Sequence, residues 1–149
     1  MNSAFRIWAS LISLAVIVQV GLAAYGAFHA VDVSDDKGSI GKNSVSDGFG
    51  AHSGLGYTIF LATLILLILA LVGRRNLGSA RVKWSGGLVG LVVVQILLAW
   101  AGGATPWLGI FHGMNALAVA GVAGSLAGRE WAAHRSGAAT AAPGAAAPM

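Results

Sequence analysis

Hydrophobic residues in this chain neither alternate nor recur in a single helical stripe; they run in four long blocks separated by short polar breaks. The blocks span about residues 5–31, 48–73, 84–104 and 106–128, and each reaches the ~20 residues that a helix needs to cross a bilayer. A segment apolar on all sides has no aqueous face to present, so it belongs in lipid. The pattern predicts an all-α fold, an integral membrane four-helix bundle running up-down-up-down, with residues 1–135 as one domain. The Ala-, Pro- and Gly-rich stretch 136–149 carries no aliphatic anchors and is expected to be a disordered tail.

The polar breaks orient the bundle. Asp32 to Asp47 is glycine-containing and acidic, with Asp32, Asp35, Asp36 and Asp47 against Lys37 and Lys42, and reads as a loop. Gly73 to Lys83 carries Arg74, Arg75, Arg81 and Lys83 without an acid. Basic loops stay in the cytoplasm, so this break and both termini, with Arg6, Arg129 and Arg135, are placed inside. The acidic loop and the uncharged turn from Gly102 to Pro106 then lie outside a plasma membrane. A cleaved signal peptide is the competing reading of the first block, but its run from Ile7 to Ala30 exceeds the ~7–15 apolar residues of a signal core.

Composition agrees, with 56% hydrophobic and 9% charged residues against roughly a quarter charged in soluble domains. No cysteine is present, which excludes disulfides, thiolate metal sites and cysteine nucleophiles. The pI near 10.1 does not indicate nucleic acid, because the basic residues mark topology and do not cluster on a face. Trp8, Trp84, Trp100, Trp107 and Trp131 fall near block ends, where amphipathic rings favour the headgroup level.

Two stretches carry candidate chemistry. Gly50-Ala51-His52-Ser53-Gly54-Leu55-Gly56 heads the second block, and Gly109-Ile110-Phe111-His112-Gly113 heads the fourth. Both blocks run inward, so counting from about Gly48 and Pro106 sets His52 and His112 within ~3 Å of one depth at 1.5 Å per residue. Level imidazoles on alternate helices approach one plane from opposite sides, as axial ligation of a haem iron requires. Gly54, Gly56, Gly109 and Gly113 supply positions without side chains beside a flat macrocycle, which points to one haem b. Two alternatives stay open: glycines as helix-packing surfaces around a hydrogen-bonded histidine pair, and a Cu or Zn site joined by His29, which ends the first block on the same side. His29 also suits a hydrogen bond to a haem propionate.

Gln19 and Gln95 are the deep polar residues. Each is expected either to bond across the bundle, to Asn115, Thr58 or the other glutamine, or to touch a porphyrin edge or quinone headgroup. They also mark an internal repeat: Val18-Gln19-Val20-Gly21-Leu22-Ala23-Ala24 resembles Val94-Gln95-Ile96-Leu97-Leu98-Ala99-Trp100, and each is followed by a helix opening near a histidine and glycines. The chain reads as two related hairpins.

These residues carry a resemblance. Gln19-Val20-x-Leu22, Ala51-His52-x-x-Leu55-Gly56, Gln95-Ile96-Leu97-Leu98-Ala99-x-x-Gly102 and His112-Gly113-x-Asn115-Ala116-Leu117 resemble one four-helix half of the heme A synthase family. They are similar also to a family of small four-helix membrane proteins of unknown function. The resemblance covers about residues 7–127 and implies His52 and His112 as haem ligands. The catalytic half of a synthase carries a first-helix glutamate and an outer-loop cysteine pair; this chain has no cysteine and no acid in its first apolar block. The resemblance therefore implies a haem-binding half and not a reacting one.

The expected function is single-electron transfer near the outer face, with a quinone or a redox protein as partner, and a haem-using membrane oxidoreductase if the chain turns over substrate. A haem carrier or sensor, and a structural membrane module without cofactor, are the alternatives.

Overall fold

The computed structural model describes residues 2–140, apart from the side chains at 76, 77, 139 and 140. Among the described residues every regular element is helical: α1 (Asn2–Lys37), α2 (Lys42–Val72), the single turn α3 (Arg74–Leu77), α4 (Ser79–Ala104) and α5 (Gly109–Thr140), the last preceded by a 3-10 turn over Pro106–Leu108. The four long helices are each long and apolar enough to cross a membrane, and only 11–22% of each apolar window is buried. Large side chains such as Ile17, Phe28, Leu61, Trp100 and Leu117 are exposed, a surface suited to lipid rather than water.

The helices outrun the apolar blocks. Asp32 to Asp47, expected as a loop, is helical up to Lys37 and again from Lys42, so only the turn between them is irregular. Nothing between Val31 and Lys37 breaks a helix, and Val33 is buried, so packing carries α1 onward beyond its apolar core. Gly38 stops it, at φ +66°, with its N–H on the Ser34 carbonyl at 2.8 Å, the left-handed cap that glycine adopts without a Cβ penalty. Gly78, at φ +80°, separates α3 from α4, so the basic break is also largely helical. The expected disordered tail is helical from Ser136 to Thr140; its remainder, 141–149, lies outside the described residues. With 36 residues, α1 is about 54 Å long at 1.5 Å per residue, well beyond a hydrocarbon core of about 30 Å.

Named contacts fix the directions. Trp8 Nε1 donates to the Ala62 carbonyl and Gln19 meets His52, so α1 and α2 are antiparallel. Arg81 meets Glu130 and Gln95 meets His112, so α4 and α5 are antiparallel as well. Each of α1 and α4 packs on both α2 and α5. His52 and His112 thus come from helices at opposite corners of a square.

The core lies in the half of the bundle towards the ends where α1 begins and α5 finishes. Phe5, Ala9, Ile12 and Val16 of α1 meet Ile59, Leu66 and Ala70, Leu88 and Val92, and Val119, Ala123 and Leu126 of the other three. The two hairpins use equivalent positions. Setting His52 on His112 brings Ile59 onto Val119 and Leu66 onto Leu126; setting Gln19 on Gln95 brings Trp8 onto Trp84, Ile12 onto Leu88 and Val16 onto Val92. Burial along 51–60 recurs residue for residue along 111–120.

Where α1 and α2 converge beyond this core, glycines set the approach. A Cβ on Gly26 would stand 2.6 Å from the Phe49 ring, and one on Gly48 would stand 2.9 Å from His29. Smaller side chains here let the backbones close up.

Candidate functional site

In the other half of the bundle the four helices enclose a cavity of about 510 Å³, within the ~300–1,000 Å³ usual for organic ligands. Its lining repeats between hairpins: Gln19 with Gln95, Val20 with Ile96, Ala23 with Ala99, His52 with His112, Gly56 with Ala116 and Tyr57 with Leu117. Buried Val16, Ile59, Val92 and Val119 close the end that adjoins the core. Tyr57, Trp100 and Leu117, all at least half exposed, stand at its lipid-facing edges.

Each histidine is held by the helix beside it. His52 Nδ1 is 3.2 Å from the Gln19 carbonyl, and His112 Nδ1 is 3.0 Å from the Gln95 carbonyl. A carbonyl oxygen only accepts, so both Nδ1 atoms carry a proton, and in the neutral ring that leaves the lone pair on Nε2. The two rings stand with centroids 6.3 Å apart and planes at 62°. Phe49 meets the edge of His52 at 6.1 Å.

The glutamine side chains differ. Gln19 Nε2 donates to the His52 carbonyl at 2.7 Å, and its buried Oε1 has no partner among the described residues. Gln95 Nε2 instead reaches His112 Nε2 at 3.1 Å, while Gln95 Oε1 accepts from Asn115 Nδ2 at 2.7 Å. Asn115 Nδ2 also donates to the Leu91 carbonyl at 2.9 Å. The position equivalent to Asn115 in the first hairpin is Leu55, which has no donor.

The cavity brings together His52, His112, Gln19, Gln95, Gly56 and Gly113. Gly56 earns its lack of a side chain, since a Cβ there would lie 3.1 Å from Gln19 Nε2. Gly54 and Gly109 are not in the lining; Gly109 instead packs its backbone 3.4 Å from the Cβ position of Gly102. His29 stacks on Tyr25 at 6.0 Å and packs against Gly48, away from the lining. No three metal-ligating side chains converge among the described residues. The expected glutamine bond to Asn115 forms, whereas Thr58 bonds the Gly54 carbonyl of its own helix.

Count from the helix start does not explain why the rings are level. α2 begins at Lys42, ten residues before His52, whereas α5 begins three residues before His112. The register is set by the Gln19 and Gln95 backbones instead. Sequence reasoning also passed over Tyr57 and gave Trp100 only an interfacial place; both follow a lining residue, His52 or Gln95, by five positions.

Comparison of the chain with protein-family models, with characterised proteins and with solved structures gives no match.

Proposed function

We propose that this chain is a multi-pass plasma-membrane haem protein that holds one haem b between His52 and His112 and passes single electrons near the outer face. The observation that carries the reading is the matched pair of rings, each anchored through Nδ1 on a backbone carbonyl and 6.3 Å from the other. Metal-bound histidines ordinarily give their second nitrogen to a carbonyl in this way, which fixes the tautomer and aims Nε2 at the metal. His52 and His112 would hold the haem iron through Nε2, the nitrogen that their Nδ1–carbonyl bonds leave for it. The cavity volume and its apolar walls fit a flat macrocycle, and the glycine and alanine at 56, 113 and 116 give it room.

A bound haem supplies the redox chemistry. The chain's residues orient it, exclude water through Val16, Ile59, Val92 and Val119, and expose an edge to lipid at Tyr57 and Trp100. That edge admits a membrane quinone; a redox protein at the outer face is the other partner class. The resemblance to a haem-binding synthase half points the same way.

The loop charges favour a bundle with both termini in the cytoplasm, α1 and α4 running outward, and the cavity in the outer leaflet. The recurrence of lining and core residues favours two hairpins related by an axis along the membrane normal.

A second reading is a structural module without cofactor. It is favoured by the His112, Gln95 and Asn115 network, in which His112 and Gln95 bond each other through both side chain and backbone with no ligand needed. An absorption spectrum of the purified protein separates the two: a Soret band supports the first reading, and a colourless protein that stays so with added haemin supports the second.

A further inference from the structure

The two histidines, equivalent in place, are unequal in bonding. Asn115 Nδ2 gives its two protons to the Leu91 backbone carbonyl and to Gln95 Oε1, which fixes the Gln95 amide with its NH2 group towards His112. That group donates to His112 Nε2, and His112 Nδ1 donates back to the Gln95 carbonyl. Every proton in the chain of bonds is accounted for with one neutral tautomer. His52 Nε2, by contrast, has no hydrogen-bond partner among the described residues, because Gln19 spends its amide on the His52 backbone and Leu55 stands where Asn115 would.

We infer that His52 is the fixed axial ligand and His112 the releasable one, with Gln95 and Asn115 forming a latch that receives the His112 imidazole and opens that face of the iron to a small neutral diatomic such as CO, NO or O2. This rests on the haem reading above. The lone pair that binds metal is the one the Gln95 amide holds, so the two partners compete for a single atom. Both rings already line one cavity with centroids 6.3 Å apart, so the exchange needs side-chain rotation and no movement of helices. A hydrogen bond between membrane helices averages ~0.6 and reaches ~1.7 kcal/mol, so the latch shifts the exchange by about 3- to 20-fold at 1.4 kcal/mol per decade.

CO titration of the dithionite-reduced protein, followed at the Soret band, tests this. Wild type takes CO, and Gln95→Leu lowers its CO affinity by about 3- to 20-fold because the displaced imidazole has lost its partner. Asn115→Leu, which keeps Gln95 but frees its amide, gives a smaller loss and serves if Gln95→Leu fails to fold. Gln19→Leu, the equivalent change in the other hairpin, loses a bond to the His52 backbone and none to a ring nitrogen, and lowers CO affinity less than Gln95→Leu does. Equal affinity in wild type and in the latch variants overturns the inference, as does an equal loss in Gln19→Leu or a reduced wild type that takes no CO at saturation. Haem present with any of those results leaves the haem reading standing; a wild type without a Soret band removes both.

Discussion

The rings of His52 and His112 stand 6.3 Å apart although their helices, α2 and α5, belong to different hairpins and occupy opposite corners of the bundle. Each is aimed through Nδ1 by a backbone carbonyl, and His112 is held in addition by the Gln95 side-chain amide. His52→Ala and His112→Ala are each expected to abolish a low-spin haem spectrum while the helical circular dichroism persists. His29→Ala, outside the cavity lining, leaves that spectrum in place.

Glycines divide by what a methyl group would meet. Gly26→Ala drives a Cβ to 2.6 Å from the Phe49 ring, and such overpacking costs about 1–3 kcal/mol. Gly54→Ala meets nothing within 4 Å and is expected to leave stability unchanged or slightly raised. Thermal unfolding in detergent, read by circular dichroism, distinguishes a destabilised Gly26→Ala from a neutral Gly54→Ala.

Arg81 and Glu130 form a two-pronged ion pair at 2.6 and 2.8 Å, with the Glu130 side chain only 8% exposed. The equivalent positions in the first hairpin are Phe5 and Ala70, both buried. Removing Glu130 takes the carboxylate from a partly buried Arg81 that keeps its place over the Phe5 ring, so Glu130→Ala is expected to cost about 1–3 kcal/mol. The double change Arg81→Phe with Glu130→Ala copies the first hairpin and is expected to recover most of that loss. The same unfolding assay checks both, and a double variant no better than Glu130→Ala refutes the equivalence.

The four helices were legible because blocks such as Leu61 to Val72 leave no polar face; of the turn expected from Gly102 to Pro106, Gly102 to Ala104 instead complete α4, and the break is Thr105 with the 3-10 turn that Pro106 opens. The ends of α1 and α2 on either side of Gly38 were not legible. Polarity from Asp32 to Asp47 marks where the chain leaves lipid, not where its helix stops, and the stop at Gly38 is a single residue. At the site, the histidines stood out because an ionisable side chain among apolar residues is costly. Their anchors did not, since the backbone oxygens of Gln19 and Gln95 have no signature in sequence. The Gln95–Asn115 bond was within reach of sequence reasoning, but its asymmetry with Leu55 needed the repeat to be aligned through the structure.

The chain has no cysteine, so single introduced cysteines report on sidedness without background. Ser46→Cys is expected to react with an impermeant maleimide in intact cells, whereas Ser3→Cys and Ser79→Cys react only after lysis. The reverse pattern inverts the bundle and moves the cavity to the cytoplasmic leaflet.

The central claim is that a haem lies between His52 and His112. The most direct test is the absorption spectrum of the purified wild-type protein, oxidised and then reduced with dithionite. Wild type is expected to show a Soret band with a sharpened α-band on reduction, at one haem per chain. A colourless protein that gains no Soret band when haemin is added contradicts it.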